Sequence, residues 1–176
     1  VIKAADVNGD GRMDLVVSDK KMGRIKILLN KDGEFSSIHT ENASRAANDM
    51  VLYDFNADGY LDMALAENNA VSIWYGLGNY DLKENTWFIS GENYSIPTGP
   101  LSAMGKADFN QDGLADLVVA AGNMLYVLTQ ETAGFTITAQ AQTGDNPIAL
   151  DIADFNQDGI LDVVVANKDS NSVSLF

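Results

Sequence analysis

Apolar and polar residues alternate along this chain in runs of three to six, too short for helices. Four aliphatic runs, Leu15–Val17, Met63–Ala66, Leu117–Ala120 and Val163–Ala166, are each followed by a polar turn: Lys20–Gly23, Asn68-Asn69, Gly122-Asn123 and Lys168–Asn171. A second run follows each turn: Ile25–Leu29, Val71–Tyr75, Leu125–Leu128 and Val173–Phe176. The first three units add a further run, Glu34–His39, Leu82–Ser90 and Gly134–Ala139. Aliphatic and β-branched runs bounded by Gly, Asn and Asp predict strands, because branched side chains pack well on a pleated surface and these turn residues tolerate unusual backbone angles. No window sustains an i, i+3, i+4, i+7 apolar stripe, so helices are not expected. No apolar run reaches the roughly 18 residues that would read as a membrane-spanning helix.

The runs belong to a repeat. Asp6-Val7-Asn8-Gly9-Asp10-Gly11-Arg12-Met13-Asp14 returns as Asp54-Phe55-Asn56-Ala57-Asp58-Gly59-Tyr60-Leu61-Asp62. It returns again as Asp108-Phe109-Asn110-Gln111-Asp112-Gly113-Leu114-Ala115-Asp116 and as Asp154-Phe155-Asn156-Gln157-Asp158-Gly159-Ile160-Leu161-Asp162. The copies start 48, 54 and 46 residues apart, in the range of propeller blades, whose periods run about 40–50 residues. The predicted fold is therefore an all-β propeller of tandem four-stranded blades of about 46–54 residues. A single domain over residues 1–176 divides into units at about 1–45, 46–98, 99–145 and 146–176. The last blade is incomplete, stopping at its third strand. Open strand edges invite pairing, so the expectation is a piece of a longer protein with flanking blades, or self-association that closes the missing edge. The start at Val1, in mid-pattern and without Met, points the same way.

Composition narrows the chemistry. With 11 Lys plus Arg against 25 Asp plus Glu, the formal net charge is −14. That excludes a binder that works by neutralising nucleic-acid phosphates, and it disfavours an anionic membrane surface. Cysteine is absent, which removes disulfides, thiolate metal sites and thiol nucleophiles together. An excess of this size calls for cations that cancel part of it.

The repeated loops supply the place. Each reads Asp-x-Asn-x-Asp-Gly-x-x-Asp, offering side-chain oxygens at positions 1, 3, 5 and 9 and a backbone carbonyl at position 7. Gly at position 6 permits a sharp turn around one ion. Flexible, all-oxygen coordination suits Ca²⁺, whereas Mg²⁺ demands stricter octahedral geometry, and the lack of His or Cys disfavours zinc, copper and iron. The loops hold 12 of the 25 acidic residues, and four Ca²⁺ ions would bring the net charge from −14 to −6. An EF-hand is excluded, because its position-12 Glu is replaced by Val17, Leu65, Val119 and Val165 inside predicted strands. The glycine-rich nonapeptide of RTX proteins is missing as well. The competing reading is that Asp-Asn-Asp-Gly clusters merely make good turns. A turn, however, has no evident need for an Asp at position 9 or for three clustered carboxylates.

These residues resemble the calcium-binding repeats of the FG-GAP/VCBS family, found in integrin α-subunit propellers and many secreted microbial proteins. The resemblance covers the chain as four tandem units and implies a calcium loop between the first two strands of each blade. It implies as ligands Asp6, Asn8, Asp10, Arg12 (carbonyl) and Asp14 in the first unit, and Asp54, Asn56, Asp58, Tyr60 (carbonyl) and Asp62 in the second. The third unit supplies Asp108, Asn110, Asp112, Leu114 (carbonyl) and Asp116; the fourth supplies Asp154, Asn156, Asp158, Ile160 (carbonyl) and Asp162. The Phe-Gly and Gly-Ala-Pro signatures are not evident, which places the chain nearer the shorter bacterial-type repeats than integrins proper.

No catalytic constellation stands out. The single histidine, His39, lies in a predicted outer strand, where a surface or packing role is expected. No Gly-x-Ser-x-Gly elbow occurs, and no spacing singles out a carboxylate pair among the remaining acids. Aromatics concentrate in the second unit (Tyr60, Trp74, Tyr75, Tyr80, Trp87, Tyr94), as core packing or as a platform for sugar stacking. Asn42-Ala-Ser44 and Asn93-Tyr-Ser95 are glycosylation sequons. The expected function is a non-catalytic, secreted or cell-surface calcium-binding module that engages a protein or glycan, with no nucleic acid and no membrane insertion. The alternative is the accessory propeller of a larger secreted carbohydrate-active enzyme.

Overall fold

A computed structural model describes residues 1–41, 47–81 and 86–176, with only the backbone of Ser37 and Ile38. Among the described residues every regular element is a strand. The sequon at Asn42 and the first four residues of the Leu82–Ser90 run lie outside them.

Two compact units divide the chain, Val1–Asn93 and Tyr94–Phe176. The first holds two four-stranded antiparallel blades in meander order. One is β1 (Ile2–Ala5), β2 (Asp14–Asp19), β3 (Arg24–Lys31) and β4 (Glu34–Glu41); the other is β5 (Asp49–Tyr53), β6 (Asp62–Ala66), β7 (Ala70–Asp81) and β8 (Thr86–Ser95). The second unit holds β9 (Leu101–Ala107), β10 (Asp116–Ala121), β11 (Met124–Glu131) and β12 (Gly134–Gln142), then β13 (Pro147–Ala153), β14 (Asp162–Asn167) and β15 (Ser172–Leu175). The fold is thus of the all-β propeller class, and its fourth blade has three strands. Strands β7 and β8 outrun the sequence expectation: β7 continues through Gly76 and Gly78, and β8 runs on to Ser95. Glycine ends a strand only when nothing packs on it. Here the Tyr60 ring lies against Gly78 and the Leu61 carbonyl against Gly76, at places where a Cβ would stand 2.1–2.2 Å away.

Burial explains the patterning. β2 and β14 alternate between buried and half-buried positions, whereas β6 and β10 are buried throughout, as the apolar runs that follow their first aspartates lead one to expect. In the first unit Val16, Ile25, Ile27, Met50, Met63, Leu65, Trp87 and Phe88 form one core. In the second, Val118, Ala120, Leu125, Val163 and Val165 form another. Within the first unit Ser18 Oγ donates to the Ala47 carbonyl at 3.0 Å, and Lys3 pairs with Asp49 at 3.2 Å. Each of the four Asp-Asn-Asp-Gly loops joins the first two strands of its blade. The closing pairs are Ala5 with Asp14, Tyr53 with Asp62, Ala107 with Asp116 and Ala153 with Asp162.

Candidate metal centre

The four loops share one hydrogen-bonded geometry built by their own side chains. The position-1 carboxylates of Asp6, Asp54, Asp108 and Asp154 each accept the N–H of position 5 through Oδ1 at 3.1 Å. Through Oδ2 they accept the N–H of the position-6 glycine at 2.8–2.9 Å. The amide oxygens of Asn8, Asn56, Asn110 and Asn156 also accept the position-5 N–H, at 2.8–3.2 Å. Their Nδ2 groups donate to Oδ2 of Asp10, Asp58, Asp112 and Asp158 at 2.8–3.0 Å. The position-5 Oδ1 accepts the N–H of position 7, from Arg12, Tyr60, Leu114 and Ile160. Positions 1, 3 and 5 are therefore brought together, as the spacing predicts.

Two positions per loop are left-handed. The position-6 glycines have φ between 83° and 89°, and position 4 has φ 72° at Gly9, 59° at Ala57, 60° at Gln111 and 63° at Gln157. Only the sixth position is legible in advance, since a side chain at φ > 0 is uncommon and gives no compositional signal. At Gly11, Gly59, Gly113 and Gly159 a Cβ would meet nothing within 4 Å, so the backbone angle alone selects glycine.

Position 9 does something the sequence did not disclose. Asp14, Asp62 and Asp116 are fully buried, and their carboxylates lie beneath the loops as latches. Asp14 accepts the Val7 N–H at 3.0 Å and the Asn30 N–H at 2.8 Å. Asp62 accepts those of Phe55 at 2.8 Å and Gly76 at 2.9 Å; Asp116 accepts those of Phe109 at 3.0 Å and Gln130 at 2.8 Å. Asp162, half-buried, takes the Phe155 N–H at 2.9 Å. Each latch ties the second loop residue down, and in the first three blades it also reaches the third strand. A turn thus does use an Asp at position 9, contrary to the sequence argument. Among the described residues no three carboxylate or imidazole side chains stand arranged to hold one metal ion. The donor set still fits a hard cation. The position-1 and position-5 carboxylate oxygens each spend one lone pair on an N–H and keep another, except Asp10 Oδ2, which accepts from both Asn8 and Arg12, and the donors are oxygen throughout.

Charge is handled differently in the first two loops. Burial pushes the Asp62 carboxyl above the usual carboxylate range, and the charge of Asp58 adds to that, against the lowering by the N–H groups of Gly76 and Phe55. Desolvation would raise Asp10 too. It is outweighed by Asn8 Nδ2, by the Arg12 N–H and by the Arg12 guanidinium, which together hold that carboxyl below its ordinary value.

Of the aromatic group, Trp87 is buried and Trp74 and Tyr80 pack on the first core. Tyr75 donates to Glu92 at 2.7 Å, and Tyr94 meets Phe135 edge-on with centroids 5.5 Å apart. Tyr60 remains about half exposed. His39 is tucked beside Tyr80, ring centroids 5.0 Å apart, with Nε2 3.5 Å from Glu41 Oε1. Asn93 is exposed on β8.

Repeats built on this loop and blade match one described family. Residues 108–165, the third loop through the fourth blade's second strand, match the FG-GAP-like repeat. Over that stretch the chain carries an FG-GAP-like repeat. Among solved structures, BBS1N in complex with ARL6DN aligns over 98% of this chain and 55% of its own, with 16% identity and a TM-score of 0.67. The V. cholerae biofilm matrix protein Bap1 aligns over 99% of this chain and 26% of its own, with 22% identity and a TM-score of 0.61. At these identities the likeness is one of fold, and this chain spans about half of the BBS1N chain and about a quarter of Bap1. No curated protein sequence matches it.

Proposed function

We propose that this FG-GAP-like chain is a non-catalytic, extracellular binding module in which up to four Ca²⁺ ions each rigidify one hairpin loop. The observation that carries the reading is the loop geometry, repeated four times. Two carboxylates and an amide oxygen are gathered by the loop's own N–H groups, with spare lone pairs on each. The Asp and Asn side chains of each set and the position-7 carbonyl would hold the ion, which when bound neutralises clustered carboxylates that otherwise repel. Sites of this extracellular kind bind at about 10⁻⁴–10⁻³ M, in keeping with a secreted or cell-surface protein. The partner favoured is a protein. Trp87 is buried in the core and Trp74 and Tyr80 pack against it, which removes half of the six-residue platform on which a sugar would stack. The BBS1N complex with ARL6DN, a fold neighbour bound to a protein, is in keeping with a binding role.

The test is calcium-dependent stability and stoichiometry. Millimolar Ca²⁺ should raise the melting temperature well above that in EGTA, Mg²⁺ should restore it poorly, and titration calorimetry should count about four ions in all. Identical melting curves in EGTA and calcium, or fewer than two ions bound, would overturn the proposal.

A further inference from the structure

Position 7 differs in kind among the loops: Arg12 in the first, then Tyr60, Leu114 and Ile160. The Arg12 guanidinium sets Nη2 on Asp10 Oδ2 at 2.5 Å. Its Nε donates to the Asn30 carbonyl on β3 at 2.8 Å. Asn30 is the residue whose N–H holds the Asp14 latch, and its Nδ2 also donates to the Met13 carbonyl at 3.2 Å. The guanidinium is therefore pinned at two ends, Nη2 on the carboxylate through a charge-assisted bond and Nε on a carbonyl outside the loop. Asp58, Asp112 and Asp158 have the Asn amide on the equivalent oxygen, and among the described residues no ion pair reaches them. One loop of four has a resident cation.

We infer that Arg12 is a built-in counter-ion of the first loop, making it the weakest calcium site of the four and the one that holds its shape without calcium. The inference rests on the reading of the loops as calcium sites. An ion bound through Asp10 must share that carboxylate with a fixed positive charge. Like-charge repulsion over about 5 Å in a high-dielectric surface setting weakens a divalent ion roughly tenfold. Without the ion, the guanidinium supplies part of the neutralisation that the other loops lack.

The test uses the whole chain, wild type and Arg12→Leu, with calcium as the titrant and amide hydrogen exchange in EGTA as a second readout. Wild type should bind three ions alike and a fourth roughly tenfold more weakly; Arg12→Leu should bind four alike. Arg12→Lys, which keeps the charge, should keep the weak fourth site. In EGTA the amides of Gly11 and Arg12 should exchange more slowly than those of Gly59 and Tyr60, and Arg12→Leu should abolish that difference. Four equal sites in the wild type, with no change in Arg12→Leu, would overturn the inference and leave the calcium reading standing. Exchange at Gly11 as fast as at Gly59 would overturn the counter-ion role separately. If neither protein binds calcium, the loop reading itself fails and this inference with it.

Discussion

Replacing Asp116 with alanine separates the two jobs that share each loop. Its carboxylate is fully buried and accepts two main-chain N–H groups, from Phe109 at 3.0 Å and from Gln130 at 2.8 Å. Hydrogen bonds to a charged acceptor are worth about 1.5–3 kcal/mol each, and alanine would leave the buried Gln130 N–H without an acceptor. Because the Phe109 N–H is only partly buried and regains some water, the expected cost of Asp116→Ala is about 3–5 kcal/mol. For a chain of this length that corresponds to a fall in melting temperature on the order of 10 °C. Asp112→Ala removes a carboxylate of the same loop that is exposed and holds the Leu114 N–H and Asn110 Nδ2. Those donors turn to water, so its cost in EGTA should stay under about 1 kcal/mol. Thermal denaturation followed by circular dichroism in EGTA should therefore rank the variants clearly, with Asp116→Asn, which retains one acceptor oxygen, between them. In calcium a second cost is added and the ranking stands. Asp112→Ala should lose a further increment of about 0.4–1.4 kcal/mol, the linkage expected at 1 mM Ca²⁺ for a site in the extracellular affinity range. Equal melting temperatures for Asp112→Ala and Asp116→Ala in EGTA would refute the latch.

Other outcomes follow from particular atoms. Gly113→Ala should cost about 1 kcal/mol through its φ of 89° alone, because a Cβ there meets nothing; Gln111→Gly, at φ 60°, should gain a comparable amount, both read from denaturant midpoints. Gly76→Ala should be far worse, since its Cβ would stand 2.2 Å from the Leu61 carbonyl oxygen and would push away the N–H that holds Asp62; a wild-type midpoint would contradict the packing. In calcium-free protein the Asp62 carboxyl should titrate above the ordinary aspartate value of 3.8, as followed by carboxyl-carbon NMR. The sign follows from linkage. A raised folded pKa means that ionised Asp62 costs stability at neutral pH, and this cost is relieved as pH falls through the folded pKa. Titration at or below 3.8 would show that the two N–H bonds outweigh burial.

The repeats, the strands and the gathering of positions 1, 3 and 5 were legible from sequence because each depends on residues within about ten positions of one another. Asp6, Asn8 and Asp10 meet through bonds to their own loop's N–H groups, and the Gly at position 6 declares its backbone angle by lacking a side chain. The incomplete fourth blade could likewise be counted from its runs. What escaped depends on which strand lies beside which. Asp14 reaches Asn30, Asp62 reaches Gly76 and Asp116 reaches Gln130 across antiparallel ladders, so position 9 read as a ligand when its neighbours make it a buried latch as well. Position 4 is left-handed although Ala57, Gln111 and Gln157 carry no mark of it; the surrounding bonds impose the angle against residue preference. Aromatic residues look alike in sequence whether they stack on a ligand or fill a core, and only packing buried Trp87 and laid Trp74 and Tyr80 against the core, partly buried. Arg12 likewise reads only as a carbonyl ligand, its side chain without a role, until β3 brings the Asn30 carbonyl within 2.8 Å and fixes its guanidinium over Asp10.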